Sequence, residues 1–250
     1  MNKKMQKVLG YDIKLQTFED VVSDTVDCMK DCVGLHIVTI NPEMIELANT
    51  NHEFFKVLNR ADVLVPDGFG VVLALKFKGV KQEQIRGIEL AKELIAEASD
   101  CGFPVGFIGA REKVLEKTIT RLKAEHKLLN VVYSRNGFFD SRHEDGIIAD
   151  IQRANPRLLL VALGAPKQEL FIAKCRKLLP NTVFIGVGGS FDVWAGEVER
   201  APEFFQNIGM EWLYRTFMQP ERFKRIYKTI PLFLIKSFCD GIKYRFSKRV

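Results

Sequence analysis

The stretch Arg157-Leu158-Leu159-Leu160-Val161-Ala162-Leu163-Gly164-Ala165-Pro166-Lys167-Gln168-Glu169 decides the fold. Six apolar residues follow one another without the polar alternation of a half-exposed strand, the pattern of a strand covered on both faces. The run stops at Gly164-Ala165, and Pro166 suits the first turn of a helix that continues to residue 179. Strand, glycine turn and helix make the unit from which parallel sheets are wound, because parallel neighbours need a long crossover between them.

The unit recurs on both sides. Residues 103–108 read as a strand, Gly109-Ala110 as a turn and 111–126 as a helix. Residues 131–133 and 145–154 repeat strand and helix, and a strand over 183–187 ends in Gly188-Gly189-Ser190-Phe191-Asp192. Nearer the N-terminus, 8–13 reads as a first strand, and Thr17 as the cap of a helix running towards residue 30. Leu35-His36-Ile37-Val38-Thr39-Ile40 is a strand followed by Asn41-Pro42 and a helix to about 60, with His36 expected to be a satisfied or solvent-edge histidine. Ala61-Asp62-Val63-Leu64-Val65-Pro66-Asp67-Gly68 is a strand that stops at Pro-Asp-Gly, before helices over 69–78 and 88–99. Right-handed crossovers through these units predict an α/β protein with a Rossmann-like parallel-sheet core.

A change of character near Ala201-Pro202 predicts a helical, basic, aromatic-rich C-terminal appendage. The core is then 1–200, with a catalytic crevice between a part reaching to about residue 100 and a nucleotide-binding part, 101–200. Of 37 Lys and Arg, 10 lie in 201–250, against 4 of 31 Asp and Glu, so this segment holds the whole net charge of +6. It also holds 11 of the 26 aromatic residues, which directs attention to an anionic partner surface, a membrane leaflet or a nucleic acid. Helices are expected over 210–218, 221–229 and 232–249, with Pro220 interrupting the first. In the third, Ile235, Phe238, Ile242 and Phe246 share a stripe flanked by Lys236, Lys243, Arg245 and Arg249, as in a helix lying in the plane of a membrane; core packing is the alternative. No apolar run is long enough to span a bilayer, and no secretory h-region follows the basic N-terminus. The five cysteines lack disulfide-framework or zinc spacing and read as thiols of a reducing compartment.

Ligands of open α/β sheets bind outside the carboxyl ends of the strands, which selects the candidate residues. Asp67 stands at such an end, although Asp-Gly is a common turn pair and this stretch alone favours the turn reading. Thr39 and Asn41 end another strand, with Asn41 also a plausible helix cap. Arg86 precedes a helix near the strand ends, where a phosphate is recognisable. Gly109, Gly164, Gly188 and Gly189 follow strands and let backbone approach a nucleotide. Gln168 donates and accepts at once, which suits sugar hydroxyls or an acetamido group; Lys167 reads as surface and Glu169 as a partner of the helix dipole. Arg215, Arg222 and Arg225, at spacings of seven and three, form a set able to hold a diphosphate. No Walker loop and no Asp-x-Asp occurs, so arginines and backbone amides are expected to neutralise such a ligand, with no metal and no other cofactor.

Taken in order, Thr39-Ile40-Asn41-Pro42, Pro66-Asp67-Gly68, Arg86-Gly87, Gly164-Ala165-Pro166-Lys167-Gln168-Glu169, Gly188-Gly189-Ser190-Phe191-Asp192 and Glu211-Trp212-Leu213-Tyr214-Arg215 resemble the WecG/TagA/CpsF family of bacterial glycosyltransferases over about residues 8–230. The resemblance reverses the preference for Asp67 as a mere turn residue. It implies sugar transfer from a UDP-sugar donor to a polyprenyl-diphosphate-linked acceptor, inverting the anomeric centre, by an enzyme peripheral on the cytoplasmic face of the membrane. In the TagA branch, closest in character, N-acetylmannosamine passes to undecaprenyl-diphosphate-linked N-acetylglucosamine in teichoic acid synthesis. By position, Asp67 matches the proposed general base, Thr39, Asn41 and Gln168 residues around the sugar, Arg86 another active-site residue, and Arg215, Arg222 and Arg225 arginines of an appendage that closes over the site. A non-catalytic UDP-sugar-binding scaffold and a transferase of another UDP-hexose are the alternatives; nucleic acid is not an expected partner, and homo-oligomers are open.

Overall fold

The computed structural model describes residues 4–199, 201, 202, 214 and 220–247. Two short strands, β1 (Met5–Val8) and β2 (Tyr11–Lys14), pair antiparallel ahead of the main sheet. That sheet has six parallel strands, β3 (Leu35–Ile40), β4 (Val63–Pro66), β5 (Pro104–Gly109), β6 (Asn130–Arg135), β7 (Leu158–Ala162) and β8 (Val183–Gly186), in the order β4-β3-β8-β7-β5-β6. Strands β3, β4, β5, β7 and β8 are buried on both faces over most of their length, whereas the edge strand β6 has only half-buried and exposed residues, and alternate residues of the buried strands feed opposite layers. Leu158, Leu160 and Ala162 join one core cluster, while Leu159 and Val161 join another.

The helices divide accordingly. α1 (Phe18–Lys30), α5 (Gly87–Asp100), α6 (Glu112–Glu125) and α9 (Ser190–Trp194) cover the first face. α2 (Pro42–Ala48), α3 (His52–Asn59), α4 (Phe69–Phe77), α7 (Glu144–Ala154) and α8 (Lys167–Cys175) cover the second, with the β1–β2 hairpin. Thr17 caps α1 in a reciprocal box with Asp20, satisfying donors that the first turn leaves unpaired. The α/β, Rossmann-like class read from the sequence is the class observed.

Three local expectations are corrected. The first strand folds back on itself, because Leu9 and Gly10 take positive φ values of 47° and 97° and make a two-residue turn matched to strand twist. The helix after Pro42 breaks at residues 49–51, where the Asn51 side chain accepts from the Phe54 N–H and starts α3 afresh. Beyond residue 219 one helix, α10 (Pro220–Ser247), replaces two. Pro220 opens it, where a missing N–H costs little. Pro231 lies inside it and removes one helical donor; burial of Phe233 two residues later holds the helix through that gap.

Candidate active site

The carboxyl ends of β4, β3, β8 and β7 are consecutive across the sheet, and carry in that order Asp67, Asn41, Gly188-Gly189 and Gly164. At the spacing of hydrogen-bonded strands this row spans about 14 Å. After β3 the chain turns into α2 on one face, and after β8 into α9 on the other. Neighbouring strands whose connections leave to opposite faces open a crevice between their ends.

Asp67 sits on one side of that crevice. Its N–H donates to the Ile40 carbonyl at 2.9 Å, and Gly68 turns the chain into α4 with φ +86°, so the turn role is real. The carboxylate is also held from the loop that crosses to α5. Oδ1 accepts from Gln84 Nε2 at 3.3 Å, and Oδ2 from the Gly87 N–H at 3.4 Å. Both contacts are long for hydrogen bonds. Thr39 Oγ1 faces the same glycine: a Cβ on Gly87 would lie 2.6 Å from it. Arg86 is the residue before α5, and its guanidinium lies 3.4 Å from both carboxylate oxygens of Glu89. The fold therefore gathers Thr39, Asp67 and Arg86 from three elements. Asn41 Oδ1 accepts from the Met44 N–H at 3.0 Å as the cap of α2, so its amide group is the part that remains for a ligand.

Gln168 lies on the opposite side and is buried. Its Oε1 accepts from the N–H groups of Gly164, at 3.1 Å, and Gly188, at 3.0 Å; its Nε2 donates to Glu169 Oε1 at 2.7 Å. Glu169 stands in the first turn of α8, where a dipole partner was expected, but it is buried. It is 2% exposed, burial pushes its carboxyl up to about 7 against the opposing hydrogen bond from Gln168, and Oε2 has no partner. A signal for this existed: Gln168, Ile172 and Cys175 are spaced as one core-facing helical stripe, which Phe171 and Glu169 widen. Gln84 and the Gly87 N–H were also missed, since nothing in a sequence tells which loop returns past a strand end.

The four glycines differ. Gly164 and Gly188 have open space where a side chain would project, and a Cβ on Gly189 would touch only Asp192 Oδ2, at 4.0 Å. Gly109 does not: a Cβ there would strike the Ala162 carbonyl, and Gly137 packs on its Cα. Close packing between strand ends accounts for Gly109 by itself. Lys167 is exposed, 4.6 Å above the Phe139 ring and 3.5 Å from the Gly137 carbonyl. His36 is neither satisfied nor at a solvent edge; it is buried with Nε2 unpartnered, and burial first, then the charge of Arg176, lowers its pKa to about 3.

Arg215 lies outside the described residues, as do the side chains of Arg222 and Arg225. The backbone of α10 is informative nevertheless. Phe233 packs over Gly70 and Gly241 against Phe77, so α10 runs parallel to α4. Lys78 pairs with Asp240 at 2.8 Å, Asp240 also accepts from the Leu9 N–H, and Lys236 pairs with Glu46 at 2.6 Å. The thirteen residues before Phe233 extend about 20 Å beyond the start of α4, the end at which Asp67 stands. The stripe Ile235, Phe238, Ile242 and Phe246 is on the outer face, between 41% and 67% exposed, while Phe233, Ser237 and Gly241 face the core.

A family model described as the glycosyl transferase WecG/TagA/CpsF family matches residues 6–247. The chain belongs to that family. As a WecG/TagA/CpsF protein it is a glycosyltransferase of cell-surface polysaccharide synthesis, with a sugar donor and an acceptor as substrates. The match includes α10, so the appendage is part of the family's common body. Among the described residues no helix is long and apolar enough to cross a membrane, and no group of three His, Cys, Asp or Glu side chains is placed to hold a metal ion.

Proposed function

We propose that this WecG/TagA/CpsF protein transfers N-acetylmannosamine, with inversion, from UDP-N-acetylmannosamine to undecaprenyl-diphosphate-linked N-acetylglucosamine at a membrane surface, in a teichoic acid-type pathway. The observation that carries the reading is the row of strand ends from Asp67 to Gly164, a carboxylate at one end and open glycine backbone at the other. Asp67 takes the proton of the acceptor hydroxyl. The oxygen attacks the anomeric carbon, the bond from that carbon to the diphosphate breaks, and UDP leaves with the electron pair. A positioned base supplies about 10²–10⁴ in rate, and cations stabilise the departing charge.

Arg86 is one such cation, and Arg215, Arg222 and Arg225 join it from the appendage; the course of α10 past the start of α4 supports their reach. Thr39 and the amide of Asn41 bind the sugar on the Asp67 side, and the backbone of Gly164, Gly188 and Gly189 receives the nucleotide. The reaction is metal-independent in this reading. The outer stripe of α10 with Lys243 and Arg245 rests on the leaflet, because an apolar face of this extent is rarely left to water.

The test is UDP release by the purified protein from UDP-N-acetylmannosamine and a lipid-diphosphate acceptor, with and without EDTA. Release that requires both substrates and survives EDTA supports the reading. Donor binding without turnover would favour a scaffold, and turnover only with another UDP-hexose would replace the sugar.

A further inference from the structure

We propose that Glu169 is a positioning residue of the transfer reaction, acting through Gln168 to hold the two glycine turns of the crevice at one separation. The inference rests on the assignment of the crevice to a nucleotide sugar. It goes beyond that assignment in giving a task to a carboxyl group that reaches no ligand.

The carboxamide of Gln168 bridges the β7 and β8 turns: one oxygen accepts the N–H of Gly164 and the N–H of Gly188. Those N–H groups are therefore committed within the protein. What the turns offer a ligand is their shape and their open Cα faces. A carboxamide has two ends of nearly equal size, and rotating it by half a turn would point an NH₂ group at two N–H donors. The two N–H donors disfavour that flip from one end, and Glu169 holds the carboxamide from the other, since its Oε1 is an acceptor and takes the Nε2 hydrogen at 2.7 Å.

The pair is also held from beneath. A Cβ on Gly186 would overlap Gln168 Nε2 and come within 3.1 Å of Glu169 Oε1, so the end of β8 is bare backbone where the two side chains lie. Both are buried, which raises the cost of a wrong orientation, because a donor left unsatisfied there has no water to turn to. The carboxyl also takes a hydrogen bond from its own backbone N–H in the first turn of α8, which fixes it where it meets Gln168. An apolar residue would fill the volume without leaving Oε2 unpartnered.

The experiment compares the full-length protein with Glu169→Leu, Glu169→Gln, Gln168→Ala and the Gln168→Ala/Glu169→Leu double variant. Amide hydrogen exchange at Gly164 and Gly188 is read without ligand, and KM for the nucleotide sugar is read against kcat. In Glu169→Leu, exchange at both glycines should quicken at least tenfold while other strand-end amides keep their protection, and KM should rise about tenfold. Glu169→Gln, which keeps an acceptor oxygen, should restore most of both. The double variant should be no worse than Gln168→Ala, as expected when one residue works through the other. Unchanged exchange at Gly164 and Gly188 in Glu169→Leu, or losses that add in the double variant, would overturn the proposal. Should Glu169→Leu not fold, Gly186→Ala displaces the same carboxamide and must give the same exchange pattern. If the parent turns over no nucleotide sugar, the functional reading fails, while the exchange measurements still decide the role of Glu169.

Discussion

Gly87 donates its N–H to Asp67 Oδ2 across 3.4 Å, although twenty residues and the whole of α4 separate the two along the chain. A carboxylate at the end of a strand is thereby tied to the start of a helix on the other face of the sheet. At that length the tie is a weak one.

Asp67→Asn keeps the shape and the N–H to Ile40 but removes the proposed base. UDP release should fall by about 10²–10⁴, with an unchanged circular dichroism spectrum. Gly87→Ala should act on the same spot by crowding: its Cβ would sit 2.6 Å from Thr39 Oγ1. Overpacking of that kind costs about 1–3 kcal/mol, and kcat should drop because Thr39 and Asp67 are pushed apart. A Gly87→Ala enzyme of parental rate would mean the two sides need not be so close.

The docking of α10 depends on Lys78, whose side chain is 4% exposed and reaches Asp240 at 2.8 Å and the Tyr244 ring at 4.8 Å. Asp240→Ala leaves that ammonium buried without its acid. The loss in urea unfolding should be somewhat below the ~3–5 kcal/mol of a fully buried pair, because Asp240 is about a third exposed. Replacing both, as Lys78→Met with Asp240→Leu, should recover most of the stability. A double variant no better than Asp240→Ala would show that the pair contributes more than mutual neutralisation.

Glu169 and His36 give the protein opposing pH dependences. The Glu169 carboxyl, raised by burial to about 7, holds a proton more tightly folded than unfolded. Its contribution is complete below the ordinary carboxylate value of 4.5 and is lost as pH rises to about 7. His36, lowered to about 3, contributes fully above 6.5 and loses that as pH falls. The slopes oppose each other between 4.5 and 6.5, so the informative quantity is the difference between parent and Glu169→Gln. Thermal unfolding from pH 5 to 8 should show the parent losing of order 3 kcal/mol relative to the variant. Parallel profiles would exclude a proton on Glu169.

The outer stripe of α10 predicts its own dissection. Serine at Ile235, Phe238, Ile242 and Phe246 together should abolish flotation with anionic vesicles while lowering the unfolding midpoint only modestly, since the four side chains are 41% to 67% exposed and Phe238 gives up a ring contact, with Phe77. Unaltered flotation would move membrane contact elsewhere on the chain. A large fall in midpoint would instead make the stripe part of an interface between copies.

Much of this was legible in residue order. Six apolar residues stopped by Gly164 are too short a run for a buried helix and read as a strand covered on both faces, and repetition of that unit makes the sheet parallel. Pro66-Asp67-Gly68 puts an acid at a strand end because proline and glycine stop the strand there. The solvent-facing stripe of α10 follows from helical spacing, though the same spacing fits a core face, and only the burial of Phe233, Ser237 and Gly241 decided which side is which. Strand order was beyond the sequence, because pairing is set by which faces bury together and not by order in the chain. That order, β4 beside β3 beside β8 beside β7, aligns Asp67 with glycine turns 97 and 121 residues further along the chain. Glu169 makes the same point: in the sequence it is a charge in the first turn of a helix, and the bare backbone of Gly186 across from it makes room for a buried carboxyl group. Local propensity determines where elements begin and end; the packing of one element's side chains on another's backbone decides which acids and amides meet.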